Sequence, residues 1–258
     1  MQPYLIPLGL TLLAGLSTGI GGLGPFFIKE FKRSHLSALM GFAAGVMIYI
    51  SFAELLQEAV EGSGFLNANL SFFGGILGMY LLDRVLPHHY LAEKTGFAGH
   101  IDPEGAGDES EILSAGLLTA LGIFLHNFPE GVIVFLSALH DPRLGLALTL
   151  AVALHNIPEG ISVAMPIYYA TGDRVRAFLY ALGSGVAEPV GALATLLIFG
   201  RYLTPGFINL SLAFVAGIMV FISFHELLPL AHRTEHPETA SVGVLLGMII
   251  MFATLLFV

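Results

Sequence analysis

The sequence predicts an all-α integral membrane protein, one polytopic domain over residues 1–258 built from eight transmembrane helices. Three observations predict it. The chain is 55% hydrophobic and only 11% charged, less than half of the ~25% charged share with which a soluble domain faces water. Its mean hydropathy is +0.82. Apolar stretches of roughly 20 residues, long enough to cross the hydrocarbon of a bilayer, recur from one end of the chain to the other.

These stretches fall near 4–27, 36–58, 70–86, 112–138, 144–170, 177–199, 207–230 and 239–258, and are called spans 1 to 8. Span 1 is too long for the core of a signal peptide and has no Lys or Arg before Lys29, so it reads as a spanning helix. Span 3 is short and ends at Asp83-Arg84, which belong at the headgroups. Orientation follows from the loops. With the amino terminus outside, the cytoplasmic loops carry Lys29, Lys32, Arg33, Arg84, Lys94, Arg174, Arg176 and Arg233. The outside loops carry only Arg143 and Arg201. Positive charge favours the cytoplasmic side, so both termini are expected outside.

Composition also limits the chemistry. There is no cysteine, hence no disulfide and no thiolate ligand. A metal site here must use nitrogen and oxygen donors, which leaves Zn, Fe(II), Mn, Co or Ni open. The net charge is −9 and no Lys/Arg-rich run occurs, which argues against a nucleic-acid partner.

Two internal repeats stand out. Residues 41–59 read GFAAGVMIYISFAELLQEA and residues 213–231 read AFVAGIMVFISFHELLPLA. The shared ISF-x-E-LL string places Glu54 and Glu226 in register, with His225 just before the latter. Spans 2 and 7 run in opposite directions, so the repeat is inverted, a hallmark of secondary transporters. Spans 1–3 and 6–8 are then related arms around spans 4 and 5, a 3+2+3 arrangement. The central spans carry the second repeat, HNFPEG at 126–131 and HNIPEG at 155–160.

On a helix, positions i and i+4 lie about 40° apart around the axis. His126 therefore faces the same way as Glu130, and His155 the same way as Glu159. Imidazole and carboxylate together suit divalent cations. Asn127 and Asn156 are rotated by about 100° and can serve a neighbouring position through their amide oxygens. Pro129 and Pro158 deprive the carbonyls of Leu125 and Leu154 of an amide partner and kink the helix, and such a break is tolerated in a membrane only where buried or facing a wet cavity. Pro189, directly after Glu188, and Pro229, three after Glu226, repeat the association.

A charged side chain at the centre of a membrane helix costs about 2.5–3.5 kcal/mol. The interior candidates are Glu54, Glu130, Glu159, Glu188, Glu226, His126, His155 and His225, and no Lys or Arg lies among them. Protonation or a bound cation must neutralise them. Acceptors gathered without a protein countercharge make a cation site.

At these residues the chain resembles the ZIP (Zrt/Irt-like) divalent metal transporters, and within them the bacterial zinc uptake permeases. The motifs HNFPEG, HNIPEG, SGVAE (184–188) and ISFHELLPLA (222–231) carry the resemblance over nearly the whole chain. It implies eight helices in the 3+2+3 arrangement and a binuclear site between spans 4, 5 and 6. One metal is then held by His126, Glu130, His155 and Glu159, and the other by Asn127, Asn156 and Glu188, with Glu130 and Glu159 bridging. The second position is associated with iron in such relatives. Glu54, His225 and Glu226 are additional metal or pathway residues.

The resemblance implies uptake of Zn2+, and with it Fe2+, Mn2+, Co2+ and Cd2+, as transported cargo across a bacterial inner membrane by alternating access. Divalent metal ions and the lipid bilayer are the expected partners, with a homodimer left open as the assembly. The cytoplasmic loop at about 87–111 holds His88, His89 and His100 among Glu93, Asp102, Glu104, Asp108, Glu109 and Glu111, and reads equally as a metal-binding or a solvated acidic loop. Glu58 and Glu61 form a polar rim at the outer end of span 2. An intramembrane metalloenzyme is the rival from another class. HExxH is absent and neither motif leaves a general base free of metal duty, so no enzyme is expected. An exporter and a passive channel differ by direction of flux and by lack of saturation.

Overall fold

A computed structural model describes residues 2–28, 33–85, 109–232 and 237–256. Among these residues eight helices are long and apolar enough to cross a membrane, as expected from hydropathy. Span 1 is α1 (Gln2–Gly22) with a one-turn extension, α2 (Gly24–Phe27). Span 2 is α3 (Arg33–Ile50), a π-helical turn (Ser51–Leu55) and α4 (Leu56–Ser63). Spans 3, 4 and 5 are α5 (Phe65–Val85), α6 (Glu109–His140) and α7 (Pro142–Thr171). Span 6 is divided into α8 (Arg174–Gly185) and α9 (Ala187–Phe199). Span 7 is α10 (Pro205–Ile222), a second π-helical turn (Ser223–Leu227) and α11 (Leu228–His232), and span 8 is α12 (Pro237–Leu255). Loop residues up to Asp108, with His88, His89 and His100, lie outside the described residues, and Glu109 and Glu111 open α6.

Span 3 begins five residues earlier than hydropathy suggests, at Phe65. Its first turns hold Asn67, Asn69 and Ser71, which lower the apolar signal. The helix absorbs them. Asn67 Nδ2 donates to the Ser63 carbonyl at 3.0 Å and Asn69 Nδ2 to the Phe65 carbonyl at 2.8 Å. Ser71 Oγ donates across to the Leu210 carbonyl of span 7 at 2.7 Å.

Turn chemistry sets the other boundaries. Asp141 accepts from the Arg143 amide at 2.7 Å, with Pro142 at the first helical position, which starts span 5. Gly172 takes a left-handed φ of 65° and ends it. Asp173 then caps span 6 by accepting from the amides of Val175 at 2.9 Å and Arg176 at 3.0 Å. Asp173→Ala is expected to destabilise the protein by about 1 kcal/mol, read as a lower denaturation midpoint in detergent, while Asp173→Asn retains the wild-type midpoint.

The helices form an inside and an outside. Of the most apolar windows, 67% of span 5 and 59% of span 4 is buried against 22% for each of spans 3 and 8. Spans 3 and 8 are therefore peripheral. Their outer faces, with Leu70, Phe73, Leu77, Leu245 and Ile249, are exposed for lipid. Spans 1, 4, 5 and 6 pack on one another, span 8 packs along span 2, and span 3 along span 7. Exchanging 1 with 6, 2 with 7, 3 with 8 and 4 with 5 maps these pairings onto themselves.

The repeat of spans 2 and 7 extends to a backbone irregularity. Both π turns fall on the aligned Ser-Phe-x-Glu-Leu segments. In each, the serine hydroxyl donates to the carbonyl four residues earlier, Ser51 to Met47 at 2.7 Å and Ser223 to Met219 at 2.8 Å. π turns recur at functional positions of helices.

Candidate functional site

The two central motifs sit mid-helix, and both helices continue through Pro129 and Pro158. The expected kink therefore does not interrupt α6 or α7. The prolines act locally, by withholding an N–H from the carbonyls of Leu125 and Leu154. In span 6 the effect is larger. Helix α8 stops at Gly185 and α9 starts at Ala187, with Val186 between them. Pro189 has no N–H for the Gly185 carbonyl four residues earlier, which accounts for the division. Glu188 thereby lands in the first turn of α9, where the positive end of the helix dipole favours a carboxylate.

The last letter of each motif has a separate role. A Cβ added to Gly131 would strike the Glu188 carbonyl, and one added to Gly160 would strike the Thr18 carbonyl. Glycine thus lets α6 touch α9 and α7 touch α1, backbone to backbone.

The polar side chains between these helices are withdrawn from the surface. Asn127, His155, Asn156, Glu159 and Glu188 are 0% exposed and Glu130 is 1% exposed. His155 Nδ1 donates to the Ala151 carbonyl at 3.0 Å, and its Nε2 lies 2.8 Å from Glu130 Oε1. Asn127 Nδ2 donates to the Ser184 carbonyl at 3.3 Å. Asn156 Nδ2 donates to the Ala14 carbonyl at 3.1 Å and makes a short hydrogen bond to Glu188 Oε1. With both amide nitrogens anchored, the oxygens Asn127 Oδ1 and Asn156 Oδ1, like Glu188 Oε2, have no hydrogen-bond partner among the described residues. The arginines whose side chains are described, Arg84, Arg143, Arg174, Arg176 and Arg201, are all exposed, so none of these five is buried with the carboxylates.

The structure thus brings Glu130 to His155 and Asn156 to Glu188, and buries Asn127 and Glu159 in the same helix cluster. The side chain of His126 lies outside the described set. Among the described residues no three His, Asp or Glu groups converge as ligands of one ion. Glu130 meets His155, and Glu188 meets Asn156.

The outlying candidates are placed elsewhere. Glu54 is half-buried and lines a cleft of about 170 Å³ with Glu58, Asp141, Arg143 and Leu144, none of them from the buried cluster. Glu58 Oε1 meets His140 Nε2 at 2.7 Å, and Glu61 is exposed. His225 is half-buried with its ring 4.8 Å from that of Phe221. The Glu226 side chain lies outside the described set.

Sequence reasoning passed over span 1, whose Ala14 carbonyl holds Asn156, and the Ser184 carbonyl that holds Asn127. A usable signal was present. Gly15 and Gly21 in span 1 repeat the spacing of Gly185 and Gly191 in span 6.

The family model described as ZIP Zinc transporter matches residues 5–111 and 92–255. The chain belongs to the ZIP zinc transporter family. Among its ZIP relatives, the zinc transporter ZupT of Akkermansia muciniphila is 45% identical over 257 residues, 96% of this chain and 95% of the relative. ZupT of Oceanobacillus iheyensis is 42% identical over 265 residues, covering 99% of each chain. ZupT of Lysinibacillus sphaericus is 42% identical over 260 residues, covering 97% of each. The matched regions therefore extend over nearly the whole of this chain.

Proposed function

We propose that this chain takes up Zn2+, and with it Fe2+, Mn2+, Co2+ and Cd2+, into the cytoplasm through a binuclear site on spans 4, 5 and 6. Its relatives named as zinc transporters support the cargo. The observation that carries the site is the buried set Asn127, Glu130, His155, Asn156, Glu159 and Glu188, an accumulation of nitrogen and oxygen donors with none of the exposed arginines among them.

The His155–Glu130 contact indicates how an ion fits. With Nδ1 donating to Ala151, a neutral His155 turns its Nε2 lone pair toward a carboxylate at 2.8 Å. Two acceptors stand that close only around a positive charge. Zinc bonds of ~2.0–2.1 Å at tetrahedral angles place two ligands about 3.3 Å apart. The pair closes on a proton and opens by about half an ångström for a metal, which displaces that proton. His126, Glu130, His155 and Glu159 hold one ion. Asn127, Asn156 and Glu188 hold the other, with the anchored amides presenting their oxygens and Glu130 and Glu159 bridging.

The membrane is a bacterial inner membrane and both termini lie outside. Transport is by alternating access in a 3+2+3 inverted repeat. The glycine contacts bind span 1 to span 5 and span 6 to span 4, so we infer that spans 1, 4, 5 and 6 move together against spans 2, 3, 7 and 8. Purified protein in proteoliposomes is expected to take up Zn2+ with saturation, and the other four cations are expected to compete. Flux that rises linearly with Zn2+, or equals that of protein-free vesicles, overturns the proposal.

A further inference from the structure

We propose that the hydroxyl of Thr18, on span 1, is a further cation-contacting group of the transport site, the counterpart of Glu188. The proposal rests on the reading of spans 4, 5 and 6 as the metal site.

The pseudo-symmetry of the bundle assigns the position. Gly15 and Gly185 meet face to face, each blocking a Cβ on the other through its carbonyl. Three residues on from them stand Thr18 and Glu188. The Glu188 carbonyl packs on Gly131 of the first motif and the Thr18 carbonyl on Gly160 of the second. Six residues on from the same pair, Gly191 packs on the Phe128 carbonyl and Gly21 on the Ile157 carbonyl, again matching motif positions. Span 1 therefore grips HNIPEG as span 6 grips HNFPEG, and Thr18 occupies the register of the glutamate.

The hydroxyl is available. Thr18 is 0% exposed, and its Oγ1 has no hydrogen-bond partner among the described residues. Threonines elsewhere in these helices satisfy their hydroxyls on the carbonyl four residues earlier, as Thr11 does on Pro7, Thr149 on Gly145 and Thr195 on Gly191. For Thr18 that acceptor is Ala14, whose carbonyl already receives Asn156 Nδ2 and Ser17 Oγ. The Thr18 Cβ faces span 6 at Gly185, next to the Ser184 carbonyl that holds Asn127. A buried hydroxyl left without a partner is costly unless a ligand completes it. Here a divalent cation, or water still bound to it, does so. A neutral oxygen adds no charge and favours harder cations such as Mn2+ relative to Zn2+.

The test compares Thr18→Val, which keeps the shape and removes the hydroxyl, with Thr18→Ser, which keeps the hydroxyl. Zn2+ and Mn2+ uptake is measured in proteoliposomes at matched protein content, with Glu159→Gln alongside. Thr18→Val is expected to raise KM about tenfold, the scale of one lost buried hydrogen bond, and more for Mn2+ than for Zn2+. Thr18→Ser is expected to stay within about twofold of wild type. Thr18→Ala is read by the same criteria if the valine variant accumulates poorly. Wild-type KM for both metals in the hydroxyl-free variants, with Glu159→Gln inactive, overturns the role of Thr18 alone. Wild-type uptake by Glu159→Gln overturns the site reading beneath it.

Discussion

Glu159→Ala is expected to abolish saturable Zn2+ uptake, lowering it at least 100-fold at matched protein content in proteoliposomes. Glu159 is fully buried and in the proposed arrangement contacts both ions. Removing one partner from a buried charge cluster costs about 3–5 kcal/mol, which corresponds to more than two orders of magnitude. No arginine whose side chain is described is buried nearby to substitute. Glu159→Asp keeps the charge on a shorter stem and is expected to retain weakened, saturable uptake. Uptake by the alanine variant within about threefold of wild type would sink the assignment.

Gly131→Ala is expected to have the second largest effect, through geometry and with no change in charge. Its new methyl group would occupy the place of the Glu188 carbonyl, so α6 and α9 must separate. Overpacking of this kind costs typically about 1–3 kcal/mol. The separation also moves Glu188 away from Asn156 and the motif of span 4. A fall in the thermal midpoint in detergent, together with loss of most Zn2+ uptake, is the expected result. Gly183→Ala is the control. It lies in α8, on the span that Gly131 packs against, with nothing within 4 Å of an added Cβ, and is expected to match wild type in both assays. Equal behaviour of the two variants would show that the close approach is unimportant.

Much of the fold and part of the site could be read from residue order alone. A membrane makes local demands, and local demands leave local marks. The span count followed from apolar length, and the division of span 6 could be anticipated from Pro189. Span 3 was misjudged at its start because Asn67 and Asn69 look unsuited to a membrane until their amides are seen bonded to the carbonyls four residues earlier. The π turns at Ser51–Leu55 and Ser223–Leu227 were invisible, although the repeat containing them was plain, since a span apolar along nearly its whole length has too little periodicity to reveal a shift of register. Pro129 and Pro158 were expected to kink their helices, and both helices continue through them, because a helix packed against neighbours tolerates a missing amide.

Residue order determined the class of the protein, its eight spans, the twin His-Asn-x-Pro-Glu-Gly turns and the donors they offer, because burying polar groups in lipid restricts which residue types can be present. Tertiary structure alone decided which donors meet, that Glu130 faces His155 and that Asn156 spans from Glu188 to Ala14, a residue 142 positions away. It also decided that the motif glycines serve as contact points between backbones. Partnerships across such distances depend on how whole helices pack, and no window of neighbouring residues records that.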